Sequence, residues 1–502
     1  MKRHYNWVDH VTTNIYWFGL NIASGTITPV LLPYLVALFA PVEQKNTYLA
    51  TVRVIGLAVA MLVQPMAGML SDRNLSRWGR RRPFIVGGTV FNLPFLLIVG
   101  ASPLFLNSTF NSFFQPTFGV TTAYIVLLAG IVLLQISSNF VQGPLQALIP
   151  DVMPENQRGR SSGVKAVMEL LPVFLVIFIG PLVDRGQFGL VVSVVGAGYL
   201  ICMLITARFV HEEPLKERVT ASLREPIARL VALTVLFVAV TQAAVWLVGT
   251  SGGLMKQQGA AIAMQVAVVG AAGLIGMAGA IFIGVYFGAG IGIGAEARGQ
   301  TSFIWWVINR LLFLAAVGSI QGFAQFFMRD VLRLPNAATM TTVLLAVVAL
   351  FLVPSALFGG YLADRIGRKR LVGLAGLVAA AGTFLLLLAN DVPLVLVSGC
   401  IIGLGTGTFM ASNWALGTDL VPPKQAGRYL GISNLAGAGA GIVGAGIGGP
   451  MADFFNFLSP GLGYLVIFAI YGALFLLSAA ALTQVKTVVE MPTVTRDVKA
   501  TV

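Results

Sequence analysis

The chain has 502 residues, of which 57% are hydrophobic and only 10% are charged, and its mean hydropathy is +0.86. A soluble globular domain is roughly 45–50% apolar and about 25% charged, so the composition excludes a soluble enzyme, a secreted domain and a disordered chain. It predicts an all-α polytopic membrane protein. The net charge of +13 would suggest nucleic acid in a soluble domain, but here the positive-inside rule explains it better, and no nucleic-acid partner is predicted.

Apolar runs follow one another along the chain, each near the roughly 20 residues that a helix needs to cross a bilayer. The first run is too long for the core of a signal peptide and lacks a small-residue cleavage site. Six runs precede the longest hydrophilic stretch, 211–226, and eight follow it. The fourteen runs lie near 14–39, 47–70, 84–104, 121–149, 163–183, 188–209, 228–250, 260–290, 303–327, 337–360, 372–390, 392–417, 430–450 and 460–482.

Three sequence motifs occur twice, in the same order and at matching ends of the runs. Such a repeat is hard to obtain by chance, and it divides most of the chain into two sets of six predicted helices. The first motif has two parts, which match 68–73 with 360–365 and 79–82 with 367–370. The second motif matches 151–163 with 419–431, and the third matches 180–184 with 449–453.

The repeat predicts the domain organisation. Residues 1–209 and 303–482 are the two six-helix halves, and 210–302 hold a cytoplasmic linker with an extra transmembrane hairpin at 228–290. Residues 483–502 form a cytoplasmic tail. Most Lys and Arg residues lie in the loops on the side of the repeated motifs, which the positive-inside rule places in the cytoplasm. We therefore expect both termini to be cytoplasmic, in a protein of the inner or plasma membrane.

The repeated loops carry a resemblance to a known family. Gly-x-x-x-Asp-Arg followed by a Gly-Arg cluster, present at 68–82 and 360–370, resembles the signature of the major facilitator superfamily. The segment 61–84, with its Arg-Trp-Gly-Arg-Arg-Arg-Pro stretch, closely resembles the sucrose/proton symporters of the glycoside–cation symporter group, and 139–144 is similar to them too. The resemblance implies a major facilitator fold and a transporter rather than an enzyme. Its solute site would lie at the midplane between two rocking halves.

The same loops are the candidate gating motif. Asp72 and Asp364 each end a predicted helix beside an arginine, where a carboxylate can accept backbone N–H bonds and pair with guanidinium groups. The resemblance implies that this latch favours one of two rocking states, and a plain charge pair in a positive-inside loop is the alternative. The motif residues are Gly68, Asp72, Arg73, Gly79, Arg80, Gly360, Asp364, Arg365, Gly367 and Arg368.

Four amide side chains share one face of the fourth predicted helix. Gln135, Asn139, Gln142 and Gln146 are spaced i, i+4, i+7 and i+11. Polar side chains at membrane depth usually face the bundle interior or a water-filled cavity, and amides both donate and accept hydrogen bonds, as sugar hydroxyls require. We expect this face to bind the solute, with amide bonding between helices as the alternative.

Coupling to a cation requires a further group. In the sucrose symporters an Asp four residues before the matching Asn carries the coupling proton, whereas this chain has Gln135, which cannot titrate. The candidates here are Glu169 and Arg53. Glu169 follows Lys165 by four residues, so a structural ion pair is the alternative. We expect H+ or Na+ as the coupling ion, no other cofactor and no metal site.

Further candidates for solute binding lie on the first, seventh and tenth predicted helices. Arg310 at membrane depth needs an anion or several acceptors, so it either binds the solute or pairs with Glu169. Large rings beside amides suit the C–H face of a sugar, although single tryptophans are commonly interface anchors. These candidates are Asn21, Arg310, Gln321, Gln325, Asn413 and Trp414.

The function predicted from the sequence is secondary active transport of a neutral glycoside or disaccharide together with a cation. A 14-helix drug or metabolite/proton antiporter is the main alternative, and a proton-driven peptide carrier is a weaker one. The predicted partners are a small-molecule solute and the lipid bilayer. The sequence does not determine an oligomeric state, and a monomer is plausible.

Overall fold

The structure is a computed structural model that describes residues 6–212, 214–215, 222–421 and 426–486. Every regular element within these ranges is a helix. Thirteen helical segments among them are long and apolar enough to cross a membrane. These findings confirm the prediction of an all-α, multi-pass membrane protein. Most of the predicted tail lies outside the described residues.

Residues 6–209, called here the first half, begin with a capped helix. The Asn6 side chain accepts a hydrogen bond from the Asp9 N–H, and the Asp9 carboxylate accepts one from the Asn6 N–H, so two otherwise unpaired donors are satisfied. The helices of this half are α1 (Trp7–Thr26), a π-helical turn (Ile27–Leu31), α2 (Leu32–Phe39), α3 (Lys45–Ser71), α4 (Arg82–Ala101), a 3₁₀ turn (Ser102–Phe105), α5 (Asn111–Phe118), α6 (Thr122–Gln146), α7 (Leu148–Val152), α8 (Glu155–Leu170), α9 (Pro172–Val176), α10 (Gly180–Asp184) and α11 (Phe188–Phe209).

A helical hairpin and a second set of long helices complete the chain. We call residues 301–486 the second half. The hairpin is α12 (Arg224–Gln257) and α13 (Ile262–Gly292), followed by the short α14 (Ala295–Gly299). The second half comprises α15 (Thr301–Asp330), α16 (Ala337–Ile366), α17 (Arg368–Leu386), α18 (Val392–Leu420), α19 (Ala426–Leu458), α20 (Leu462–Ala481) and a 3₁₀ turn (Leu482–Gln484).

The fifth apolar run differs from its prediction as one continuous span. It is divided among α8, α9 and α10, and for this reason thirteen continuous segments are found where fourteen spans were predicted. Pro172 begins α9, and Pro181 lies in the first turn of α10. Proline has no N–H to donate and its ring disturbs the preceding turn, so each proline marks a break in the helix.

We name the two ends of the bundle by the repeated motifs. The motif end holds the loops that follow α3 and α16, where the Gly-x-x-x-Asp-Arg segments lie. The far end is the opposite one, where α3 and α16 begin. The two halves meet along α3 and α19, which pack together over much of their length. At Gly449 an added Cβ would lie 2.5 Å from the Asn46 carbonyl oxygen, so this seam needs a residue without a side chain.

The hairpin packs on the edge of the bundle beside this seam. Both α12 and α13 contact α19, while α12 also contacts α3 and α13 also contacts α15 and α20. The hairpin therefore touches both halves, and most of its packing is against the second half.

Helices α3 and α6 approach each other closely at Gly143. An added Cβ at Gly143 would lie 2.2 Å from the Gln64 carbonyl oxygen and 2.9 Å from the Gly68 nitrogen. Because both of those atoms belong to the backbone of α3, no side-chain rotation could relieve the clash. Only a glycine allows this spacing, which brings the side chains of α3 and α6 into one wall.

We expect Gly143→Ala to separate α3 from α6 and to destabilise the protein by about 1–3 kcal/mol, the usual cost of overpacking. Gly87→Ala is the matched control, because nothing lies within 4 Å of a Cβ added at that position of α4. Thermal unfolding of detergent-purified protein measures both variants. Equal melting temperatures for Gly143→Ala and Gly87→Ala would contradict the close approach.

Candidate functional site

A polar cavity of about 380 Å³ lies among α1, α3 and α6. We call it the polar cavity. Its polar lining combines amides, hydroxyls and one guanidinium, all contributed by the first half. These residues are Ser24, Thr28, Arg53, Gln64, Gln135, Ser138, Asn139, Gln142 and Tyr199.

Three of the four amides predicted on the fourth helix line this cavity. They are Gln135, Asn139 and Gln142. The fourth, Gln146, is the last residue of α6 and is exposed outside the cavity. The Asn139 amide donates to the Gln135 carbonyl oxygen at 2.8 Å and to the Gln135 Oε1 at 3.1 Å. The bond between side chains orders part of the wall and leaves the Gln135 amide nitrogen as a donor.

The first membrane segment lines the polar cavity through residues other than the predicted Asn21. Ser24 and Thr28 line the polar cavity. Asn21, the residue singled out from the sequence, instead donates to the Trp17 carbonyl oxygen of its own helix at 2.8 Å. Gln64 of α3 lies in the wall because of the close approach at Gly143.

Arg53 connects the polar cavity to the second half. Its Nη2 donates to the Gly318 carbonyl oxygen of α15 at 2.9 Å. Its Nη1 lies against Gly322, where an added Cβ would be only 1.6 Å away. Among the described residues that line the polar cavity, Arg53 alone carries a formal charge.

A second cavity, of about 430 Å³, lies mainly within the second half and is mostly apolar. Gln321 lines it, together with Thr341 and Thr406. Gln325 faces the π-helical turn of the first half instead. Its amide is assigned with the nitrogen toward the Val30 oxygen at 2.9 Å and the Pro29 oxygen at 3.1 Å, because only that orientation lets it donate to both carbonyls. The Pro29 carbonyl is available because Pro33, four residues on, has no N–H to donate.

The remaining candidates of the second half form a cluster between α15 and α18. The Arg310 Nη1 donates to the Asn413 Oδ1 at 3.4 Å, and its guanidinium lies 5.2 Å from the Trp414 ring centre. The Asn413 amide donates to the Asn309 Oδ1 at 2.7 Å. The structure thus brings three predicted residues together, held by a buried amide network.

Glu169, the candidate for coupling, lies in α8 and forms the ion pair that its spacing offered as the alternative. Its Oε1 is 3.4 Å from the Lys165 Nζ, and about a third of each side chain is exposed. The same ammonium lies 4.2 Å from the centre of the Trp17 ring. The pair lies in the last turns of α8, just before the break at Pro172.

The first gating motif is organised around Arg81 rather than Arg80. The Arg81 side chain is 4% exposed, and it bridges Asp72 at 2.5 Å and Asp151 at 2.7 Å. Arg80 pairs with the other oxygen of Asp151 at 2.8 Å. Asp151 was not predicted as a site residue, although it begins the second repeated motif.

The loop that presents Arg81 is held by the linker that follows α11. Glu212 accepts hydrogen bonds from the backbone N–H groups of Arg81 at 2.6 Å and Arg82 at 2.9 Å, at the start of α4. Burial raises the pKa of the Glu212 carboxyl, and these N–H donors oppose the shift. Gly79 has a φ of +104°, which favours glycine. Asn74 closes the loop by donating to the Arg80 carbonyl oxygen.

The remaining residues of the first motif take smaller parts. The Gly68 carbonyl oxygen accepts from the Arg81 Nη1 at 3.4 Å. Arg73 is half-buried in the turn after α3.

The second gating motif repeats the arrangement in a more exposed form. Arg368 bridges Asp364 at 3.5 Å and Asp419 at 2.7 Å, as Arg81 bridges Asp72 and Asp151. Gly367 has a φ of +92°. Arg365 lies 4.5 Å from the Tyr361 ring centre. Gly360 has open space around it, with nothing within 4 Å of an added Cβ.

The third repeated motif ends in a carboxylate that caps a helix of the opposite half. Asp184 accepts from the N–H groups of Ala338 at 3.1 Å and Thr339 at 2.8 Å, in the first turn of α16. Asp453 accepts from the N–H groups of Asn46 at 3.2 Å and Thr47 at 2.7 Å, in the first turn of α3. Neither aspartate was predicted as functional, although each ends a repeated segment.

The described ion pairs differ between the two ends of the bundle. At the far end Lys45 of the first half pairs with Asp330 of the second half at 2.5 Å, beside the two carboxylate caps. At the motif end the described pairs of Arg81 and Arg368 each stay within one half. The halves are therefore fastened together at the far end.

Comparisons with known proteins identify the fold and its relatives. A family model described as "Major Facilitator Superfamily" matches residues 307–498, and one described as "MFS/sugar transport protein" matches residues 18–237. Together they cover more than half of the chain.

The curated relatives match over shorter stretches. Sucrose transport protein SUC3 of Arabidopsis thaliana is 35% identical over 114 residues, which are 22% of this chain and 19% of that protein. The minor myo-inositol transporter IolF of Bacillus subtilis is 35% identical over 88 residues, 18% of this chain and 20% of that protein. The match therefore spans about a fifth of the length of either relative.

Solved structures resemble the chain over nearly its whole length. The nucleoside transporter NupG has a TM-score of 0.61 at 12% identity, covering 94% of this chain and 98% of that chain. A peptide transporter POT has a TM-score of 0.62 at 15% identity, with coverage of 95% and 93%. The D-xylose-proton symporter has a TM-score of 0.58 at 14% identity, with 95% of both chains covered. At these identities the likeness concerns the fold alone.

The bridging arginine is buried in the first gating motif and partly exposed in the second, so loss of an aspartate partner should cost more stability in the first. We expect Asp151→Asn to destabilise the protein by about 3 kcal/mol, because it leaves the buried Arg81 with a weaker set of acceptors. Asp419→Asn is the matched variant of the second half, where Arg368 is 35% exposed and water can replace the lost partner. Melting temperatures in detergent compare the two. A larger loss for Asp419→Asn would refute the central role of Arg81.

Proposed function

Because the chain belongs to the major facilitator superfamily, we propose that it is a secondary active transporter that moves a sugar or glycoside with a cation by alternating access. The polar cavity carries this proposal. Its wall of amides and hydroxyls can donate to and accept from several hydroxyls at once, and its volume of about 380 Å³ suits a small solute.

The two ends of the bundle support the transport cycle. The carboxylate caps and the Lys45–Asp330 pair close the far end, whereas the described latches of the motif end act within each half. The positive-inside rule assigns the motif end to the cytoplasm. This conformation then faces inward, and opening to the outside requires the far-end contacts to break.

Coupling to H+ or Na+ remains part of the proposal. Gln135 cannot carry a proton, so a proton-driven cycle would use Glu169, which pairs with Lys165. Arg53 would link cavity and gate, since it lines the polar cavity and binds the Gly318 carbonyl oxygen across the seam.

A 14-helix antiporter for drugs or metabolites is the second candidate. The apolar cavity of the second half favours it, because a cavity of about 430 Å³ lined mainly by hydrocarbon suits an amphipathic solute. Uptake measurements in proteoliposomes separate the sugar transporter from the antiporter.

Proteoliposome uptake under separately imposed proton and sodium gradients tests the function. We expect at least one of labelled sucrose, maltose, trehalose and glucuronate to accumulate under one gradient. Gln142→Ala should raise the KM about tenfold, because it removes a cavity amide. Gln146→Ala is the matched control on the same helix face outside the cavity. If no sugar accumulates but ethidium is expelled against a proton gradient, the antiporter is correct and the sugar proposal is wrong.

Removing the carboxylates that close the far end should favour the outward-open state. Each substitution keeps one acceptor oxygen but removes the negative charge that favours a helix N-terminus, at about 0.7 kcal/mol, so Asp184→Asn with Asp453→Asn should shift the equilibrium roughly tenfold. Spin labels at Gln187 and Asn336, in a background without native cysteines, report the far-end distance. Asp391→Asn is the control, because Asp391 caps its own helix.

The double variant should populate a longer distance between the labels, and the control should leave the distribution as in the parent protein. An unchanged distribution in the double variant would contradict the gating role of the caps.

A further inference from the structure

The charge of the polar cavity indicates what kind of sugar it accepts. The other polar residues in its described lining are neutral amides and hydroxyls, so Arg53 gives the cavity a net positive charge. Arg53 takes part in none of the described ion pairs, and its described hydrogen bond goes to the neutral carbonyl of Gly318. A guanidinium at membrane depth without a counter-ion favours an anionic ligand.

The surroundings of Arg53 provide hydrogen bonds without supplying a countercharge. Gln135 contacts Gly56, one helical turn from Arg53, and its amide nitrogen is 3.5 Å from a Cβ added there. Gln64, eleven residues after Arg53, lines the same cavity. A solute that spans this wall would therefore meet amides along its length and a positive charge near Gln135.

The guanidinium retains donors for a ligand. Arginine has five N–H donors in a planar fork, and the bond to Gly318 uses one of those on Nη2. A planar carboxylate can use two parallel N–H groups of such a fork. A phosphate monoester, which carries between one and two negative charges near neutral pH, would leave part of its charge unpaired beside a single arginine.

We propose that the transported solute is a carboxylated sugar, such as a sugar acid or a glycoside of one, and that Arg53 is the residue that selects its carboxylate. This inference rests on the proposed sugar transport and narrows its substrate class. The amides of α6 bind the hydroxyls, and Arg53 binds the acid group. The carboxylate also contacts the residue that reaches α15, so the ligand lies where the two halves meet.

Lactobionate and lactobionamide test the proposal in the unmodified protein. The two probes share one carbon skeleton and differ in whether the terminal group is a charged carboxylate or a neutral amide. Equilibrium binding to detergent-purified full-length protein should be about tenfold or more tighter for lactobionate. Equal affinities would overturn the role of charge while leaving sugar transport in place. If neither probe nor any other sugar binds, the proposed function itself has failed.

Variants of Arg53 assign the preference to this residue. We expect Arg53→Gln to reduce the preference for lactobionate to less than about twofold while it keeps binding lactobionamide, and Arg53→Lys to retain most of the preference. Binding of lactobionamide also reports that Arg53→Gln is folded. A preference that survives in Arg53→Gln would overturn the assignment. If Arg53→Gln binds neither probe, Arg53→Lys tests the assignment instead. Loss of the preference for lactobionate in Arg53→Lys would equally overturn the assignment to Arg53.

Discussion

The structure depends on two carboxylates that cap helices across the seam between its halves. Asp184 and Asp453 each accept backbone N–H groups from the first turn of a helix in the opposite half. Those N–H groups have no partner within their own helix, so the carboxylates of the opposite half satisfy them. Together with the Lys45–Asp330 pair, the caps join the halves at the far end. Because both caps lie at the far end, the two halves can separate at the motif end while the caps stay formed.

Each half has an arginine that bridges two aspartates, but the two arginines are offset by one position in the repeat, since Arg368 aligns with Arg80 and not with Arg81. Arg81 and Arg368 each bridge two aspartates of their own half, yet Arg81 is buried and Arg368 is partly exposed. The cavities diverge further, since the first half contributes a polar wall and the second half a mainly apolar one. Under the proposed function, a solute with hydroxyls would find its hydrogen-bond partners chiefly in the first half. The second half contributes shape, together with the contacts that Arg53 and Gln325 make across the seam.

The hairpin gives the bundle an edge that follows the second half. Its helices pack mainly against α19, and α12 also reaches α3. A movement of α19 relative to α3 would therefore shift the hairpin within the bilayer. Arg53 also connects the two halves, because its side chain reaches from α3 to the Gly318 carbonyl oxygen of α15. The seam between α3 and α19 is thus where the packing of the halves meets the proposed solute site and the proposed gate.

Much of this organisation could be predicted from the sequence because its causes are local or periodic. Apolar runs predict membrane helices, since a bilayer leaves the backbone few alternatives to a helix. The three repeated motifs predict equivalent structures in the two halves. The spacing of Gln135, Asn139 and Gln142 places them on one helix face, and they do line one cavity. Only the tertiary structure revealed the partners of Arg81, the caps at Asp184 and Asp453, and the turn of Gln325 away from the cavity. These contacts join residues far apart in the chain, so they depend on how the helices pack, which no local pattern records.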